Sequence, residues 1–170
     1  MILETQRLVL RELVQSDYPS LCKILQDDAV MYAYEGAFSD GEVQAWLDKQ
    51  RASYRQYGHG LWAAVLKETG VMAGQCGLTW QDFNGVRVLE IGYLFQKDCW
   101  HQGYATEAAV ACREYAFGQL GADEVYSIIR DTNLPSQNVA RRNGMVIAGR
   151  LIKHYRGIDM PHRVYRVKKA

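Results

Sequence analysis

The sequence predicts an α+β fold: one mixed, mainly antiparallel sheet of about seven strands flanked by about four helices. Three observations point to it. Strand-like runs recur at 5–13, 61–66, 71–80, 86–95, 124–130, 145–153 and 163–168, several of them alternating between apolar and polar residues. Asn84-Gly85 stands between two of these runs; it is a dipeptide that favours tight hairpins, so the central strands are antiparallel. Helical patterns follow the first run and separate the later ones, which gives the order β, α, α, three strands, α, β, α, β, β. A chain of 170 residues, 48% hydrophobic and 23% charged, fits one globular domain over 1–170.

Each element has its own signal. In Thr5-Gln-Arg-Leu-Val-Leu-Arg-Glu-Leu13, Leu8 and Leu10 share a face opposite Val9 and Arg11. Ser16-Asp17 is expected to cap the first helix, with Pro19 in its first turn and Leu21, Ile24 and Leu25 as its apolar stripe. Met31 to Gly36 reads as an irregular connection. Ser39-Asp-Gly-Glu42 is a capping box, and the helix it opens carries Val43, Trp46, Leu47, Tyr54 and Tyr57 before Gly58 and Gly60 stop it. That aromatic stripe reads as core, with a pocket wall at Trp46 as the alternative. After Gly103, helical spacing puts Ala105, Ala109, Cys112 and Ala116 on one side, small enough for close packing on a sheet. Asp131 to Ser136 turns into a short helix that ends at Asn143-Gly144.

Composition excludes several functions. A formal net charge of +1 argues against nucleic-acid binding by bulk electrostatics. No apolar run approaches the roughly 20 residues of a membrane span, and the first residues lack a signal-peptide pattern, so a cytoplasmic location is expected. Cys22, Cys76, Cys99 and Cys112 form no Cys-x-x-Cys pair and read as free thiols. His59, His101, His154 and His162 are scattered, so no metal site is expected.

The most informative stretch is Trp100-His-Gln-Gly-Tyr-Ala-Thr-Glu107. A strand, a glycine turn and a helix start collect backbone N–H groups that suit a phosphate. Gly103 allows close approach of a ligand, Ala105 does not obstruct it, and Thr106 adds a hydroxyl. Neither a Gly-x-Gly-x-x-Gly nor a Gly-Lys-Ser/Thr is present, which argues against a dinucleotide or P-loop site. A plain helix cap is the competing reading.

Three matches, in order and at matching distances, resemble the GNAT N-acetyltransferase superfamily, in particular its branch that acetylates ribosomal-protein N-termini. They are the opening Thr5-Gln-Arg-Leu-Val-Leu-Arg-Glu-Leu with Asp17, Glu90-Ile-Gly-Tyr-Leu followed by Trp100 to Ala108, and Asn133-x-x-Ser136 followed by Asn143-Gly144-Met145. The resemblance implies acetyl transfer from acetyl-CoA to an amine, the acceptor being a protein N-terminus or a small amine. It also implies a cofactor arm lying between two splayed strands, here 86–95 and 124–130.

By position, the backbone of Tyr93, Leu94 and Phe95 would pair with that arm. The N–H groups of His101, Gln102, Gly103, Tyr104, Ala105 and Thr106 would cradle the pyrophosphate, and Asn133 and Ser136 would hold the arm. The resemblance makes Glu90 the candidate general base and the Leu94 N–H the oxyanion donor. It places the acceptor near Tyr32, Tyr34, Glu35 and Trp46.

Two departures stand out. Many members carry a tyrosine acid where this chain has Ala140, which leaves Tyr155 as a stand-in. Trp100 replaces the Gln or Arg that is common at the head of the motif. A small-amine acetyltransferase and a non-catalytic acetyl-CoA-binding module are the competing functions; a monomer or a homodimer is expected.

Overall fold

The computed structural model describes residues 1–170. Its strands are β1 (Leu3–Glu4), β2 (Leu8–Arg11), β3 (Leu61–Leu66), β4 (Met72–Phe83), β5 (Val86–Phe95), β6 (Glu124–Arg130), β7 (Val146–Tyr155) and β8 (Ile158–Lys168). Its helices are α1 (Tyr18–Leu25), α2 (Asp40–Tyr57), α3 (Tyr104–Gly118) and α4 (Leu134–Arg142). The strands form one eight-stranded sheet in the order β1-β2-β3-β4-β5-β6-β8-β7. Every neighbouring pair is antiparallel except β5 and β6. The α+β reading holds, and the eighth strand comes from the N-terminus. The run expected over 5–13 is extended only from Leu8 to Arg11, and Leu3 and Glu4, before it, fold back through a turn onto Leu10 and Val9. No helix is long and apolar enough to cross a membrane.

The helices lie on both faces. Along β4, Cys76 meets Cys112 of α3 with the sulfurs 3.7 Å apart, while the adjacent Gln75 accepts the Trp46 indole N–H of α2 at 3.0 Å. Consecutive strand residues point to opposite faces, so α2 and α3 cover opposite sides of the sheet. On α3, Ala108, Ala109, Cys112 and Ala116 are fully buried. Ala105 is only half-buried because the helix starts at Tyr104 and its first turn rises toward solvent.

Several local signals act as expected. Ser39 and Glu42 exchange hydrogen bonds of 3.2 and 3.1 Å at the start of α2, and Gly58 closes that helix at φ 78°. Asp17 does not cap α1. Its carboxylate is taken by both Arg11 guanidinium nitrogens, at 2.8 and 2.9 Å, and by the Val14 N–H at 2.9 Å. This bidentate pair outcompetes a cap.

The last two strands are longer than their sequence pattern suggests. They join through a two-residue turn at Arg156 (φ 51°) and Gly157 (φ 74°). Pro161 is tolerated within β8 because its carbonyl faces Asp131, beyond the end of β6. Its ring nitrogen therefore also points to an edge where no strand needs a donor.

Gly77 is a steric requirement. A Cβ there would lie 1.9 Å from the Gly60 carbonyl oxygen, which accepts the Leu78 N–H. Gly77→Ala is expected to destabilise the fold by about 3 kcal/mol, lowering Tm by roughly 6–12 °C. The control Gly41→Ala, with nothing within 4 Å, should raise Tm in the same thermal melt.

Candidate active site

The site begins where β5 parts from β6. Along one edge, β5 pairs with β4 from Val86 to Phe95; along the other it pairs with β6 only at Glu90 and Tyr126. Side chains take over where the strands separate. The Ser127 hydroxyl donates to the Ile91 carbonyl at 2.8 Å, and Glu90 Oε2 accepts the Ile128 N–H at 2.7 Å. Beyond them opens a cavity of about 400 Å³, lined by β5, β6, β7, β8, the start of α4 and the 30–34 segment.

The direction of each backbone group follows from the register. Gln96 donates its N–H to Ala73 at 2.8 Å, and this orientation repeats every second residue of an antiparallel pair. Leu94, opposite Gln75, therefore directs its N–H to β4, whereas Tyr93 and Phe95 face the gap. Two bonds agree: the Ile91 carbonyl meets Ser127 of β6, and the Phe95 carbonyl accepts the Trp100 indole N–H at 3.0 Å. The Leu94 N–H expected as oxyanion donor is thus held by the sheet. The gap-facing N–H groups are those one residue either side of it.

Glu90 lines the cavity together with Tyr34, Lys153, Tyr155 and His162. Burial raises its pKa above the ordinary carboxylate value, and the opposing effects of the Lys153 charge and the Ile128 N–H do not cancel that rise. Burial likewise keeps Tyr34 a neutral phenol and His162 an uncharged imidazole near neutral pH. The Tyr34 ring stands edge-on to Tyr155, Trp46 and Phe38 at centroid distances of 6.1, 5.9 and 6.0 Å.

The four expected acceptor residues separate. Only Tyr34 lines the cavity. Trp46 supports Tyr34 from behind and spends its N–H on Gln75. Tyr32 and Glu35 lie at a neighbouring surface depression, where Glu35 is paired with Arg130 at 2.6 Å and the Tyr32 carbonyl accepts from Arg130 at 2.9 Å. Glu35 therefore offers no free negative charge to a cationic acceptor.

The loop before α3 leaves a run of backbone N–H groups unbonded. His101 at φ 62° and Gly103 at φ 81° turn the chain so that the N–H groups from His101 to Thr106 find no acceptor within the protein; the first helical bond is Glu107 N–H to the Gly103 carbonyl. Arg7 fixes this loop from β2's approach. It donates to the Gln102 carbonyl at 2.8 Å and to Glu107 Oε2 at 2.7 Å, and stacks on Tyr104 at 4.4 Å. Thr5 and the Arg7 N–H complete the bonds to Glu107, at 2.6 and 2.8 Å.

On the other side of the gap, Asn133 Oδ1 caps α4 through the Ser136 N–H at 3.3 Å, and the Tyr93 hydroxyl donates to the Ser136 carbonyl at 2.7 Å. Asn133 and Ser136 line the cavity. Ala140 is buried and brings no hydroxyl.

Sequence reasoning passed over Arg7, Ser127 and Lys153. Lys153 had a signal, since it alternates with Tyr155 on one face of the last hairpin. Arg7 had none, because its partner lies 100 residues along the chain.

Glu107 makes the clamp pH-sensitive. Burial alone would raise its pKa, but the bonds from Thr5 and Arg7 outweigh that and hold it below the ordinary value. A depressed carboxyl stabilises the fold above its unfolded pKa and loses that contribution as pH falls through the folded one. Glu107→Gln should therefore lower Tm at pH 7, and the gap to the parent protein should close in melts taken at progressively lower pH through the acidic range.

Comparison with known proteins identifies the family. Residues 7–146 match the acetyltransferase (GNAT) domain family. The uncharacterised protein YkkB of Bacillus subtilis is 35% identical over 144 residues, 84% of each chain. An acetyltransferase from Agrobacterium tumefaciens is 29% identical and superposes with a TM-score of 0.80 over 98% of this chain and 94% of its own. RimL, a ribosomal L7/L12 α-N-protein acetyltransferase solved with coenzyme A, shares the fold at 18% identity, with a TM-score of 0.77 over 98% of this chain and 97% of its own. The matched domain spans most of the chain, which belongs to the GNAT acetyltransferase family.

Proposed function

We propose that the chain is an N-acetyltransferase that moves an acetyl group from acetyl-CoA to a primary amine by direct attack in a ternary complex. The observation that carries this reading is a raised-pKa carboxylate, Glu90, in the same cavity as an unpaired strand edge. The residues present suit the cofactor. Unpaired N–H groups from His101 to Thr106 fit a pyrophosphate. The open edge at Tyr93 and Phe95 fits the amide-bearing pantetheine arm as an added strand. Asn133 Nδ2 and the Ser136 hydroxyl remain free to hold that arm. RimL, with the same fold, was solved with coenzyme A, which supports the placement.

Acetyl-CoA supplies a thioester carbonyl: the amine nitrogen–carbon bond forms, the carbon–sulfur bond breaks, and free CoA thiol and an amide result. Glu90 takes the proton that the amine gives up, directly or through one water, and a carboxylate of raised pKa suits a base working near neutrality. A gap-facing N–H of Tyr93 or Phe95 takes the oxyanion role in place of Leu94. A thiol ionises near pH 8.5, so the leaving sulfur needs no dedicated acid, which accommodates Ala140. Tyr155, edge-on to Tyr34, serves as a wall of the acceptor mouth.

Glu90→Gln should lower kcat by about 10²–10³-fold and leave acetyl-CoA affinity within about twofold. Because the folded pKa of Glu90 is raised, its ionisation costs stability as pH rises through that value. The same variant should therefore melt higher than the parent at pH 7. In the parent, kcat should rise with pH along a limb set by an apparent pKa above the ordinary carboxylate range, and Glu90→Gln should abolish that limb.

Initial-rate plots at several acetyl-CoA concentrations should intersect. Parallel lines would contradict direct attack and implicate a covalent acyl-enzyme. A melting shift with acetyl-CoA but no thiol release with any amine would instead identify a non-catalytic acetyl-CoA-binding module.

A further inference from the structure

We infer that the acceptor is an amine carrying an anionic group, a carboxylate or phosphonate, and that Lys153 binds that group. The inference rests on the acetyltransferase reading above and adds the substrate class. It follows from a charge census of the cavity. Its walls carry Glu90, Arg130, Lys153, His154 and His162. Arg130 is neutralised by Glu35 at 2.6 Å. His154 is largely exposed and paired with Asp159. His162 donates its Nδ1–H to the Met160 carbonyl at 2.8 Å, and burial lowers its pKa, which disfavours the charged ring.

Lys153 alone among these cations has neither a carboxylate within 4.0 Å nor a hydrogen-bond acceptor in the protein. It is half-buried on β7. Its register neighbours bring it to the cavity: it lies opposite Met160, two residues from Tyr155, and Met160 and Tyr155 also line the space. A cation that lines the cavity with no hydrogen-bond acceptor in the protein is open to a ligand anion.

The opposite substrate class fits poorly. A polyamine needs fixed negative charge along its length, yet Glu35 is already spent on Arg130, and Glu90 is the remaining carboxylate of the cavity. A second cationic centre would then meet Lys153, a like-charge contact that specific sites avoid. An amine joined to a carboxylate instead places its nitrogen at Glu90 and its anion at Lys153.

The test measures free-thiol release on the full chain with a panel of matched acceptors. The panel comprises amino acids, the same amino acids as carboxamides, aminophosphonates, spermidine, and a peptide whose first residues are uncharged. Acetyl-CoA binding is followed separately by melting shift. The parent should prefer the free acids or phosphonates over their carboxamides by at least tenfold in kcat/KM, and the better of the two identifies the anion.

Lys153→Met should raise KM for the anionic acceptor about tenfold and leave KM for its carboxamide unchanged, and Lys153→Arg should restore most of the loss. Because Lys153 also acts electrostatically on Glu90, a change in kcat shared by acid and carboxamide reports that influence alone. If Lys153→Met shifts both KM values alike, or if the parent prefers spermidine or the uncharged peptide, the inference is overturned while the acetyltransferase reading stands. If acetyl-CoA binds and no acceptor releases thiol, the acetyltransferase reading fails and the inference fails with it.

Discussion

The single pairing of Glu90 with Tyr126, and the divergence of β5 from β6 beyond it, is the constraint on which the rest of the molecule depends. Separating two central strands leaves backbone donors and acceptors without partners, a cost that folded proteins rarely carry. Here side chains meet part of it: Ser127 takes the Ile91 carbonyl, Glu90 the Ile128 N–H, and Trp100 the Phe95 carbonyl. The donors left over face the gap. One carboxylate thereby bridges the two strands and also lines the cavity between them.

Both ends of that gap are held by contacts between parts of the chain far apart in sequence. At the cradle, Arg7 and Thr5 reach Glu107 and Gln102 and hold the loop at the start of α3. At the far side of the cavity, Tyr34 stands among Phe38, Trp46 and Tyr155, and Arg156 at the tip of the last hairpin pairs with Glu42 of α2 at 2.9 Å. Aromatic rings restrict few rotamers on burial and give a rigid wall. Glu90 thus sits in a preorganised site that raises its pKa, at some expense in stability.

Most of the fold was legible because its signals are local. Asn84-Gly85, the Ser39–Glu42 box and the alternation of Leu8 and Leu10 each act within a few residues. The turn into α3 was legible for the same reason, since Gly103 and the helix it opens are contiguous. Pairings at a distance were not. Asp17 looked like a cap until Arg11 was seen to claim both of its oxygens. Glu35 was expected beside the acceptor, and nothing in the residue types showed that Arg130, 95 residues on, pairs with it. The choice between Leu94 and its neighbours as donors turns on the register with β4, which residue types do not encode. That Lys153 lines the cavity with no carboxylate within 4.0 Å is a property of the assembled cavity.

Hydrogen–deuterium exchange resolved to single residues, with and without acetyl-CoA, tests the central claim most directly. If the open edge of β5 and the loop before α3 hold the cofactor, the amides of Tyr93, Phe95 and His101 to Thr106 exchange quickly in the free protein and become protected on binding. The Leu94 amide, already bonded to β4, should be slow in both states. Protection that spares these residues, or fast exchange at Leu94 with protection only on binding, would contradict the account of how this sheet makes its site.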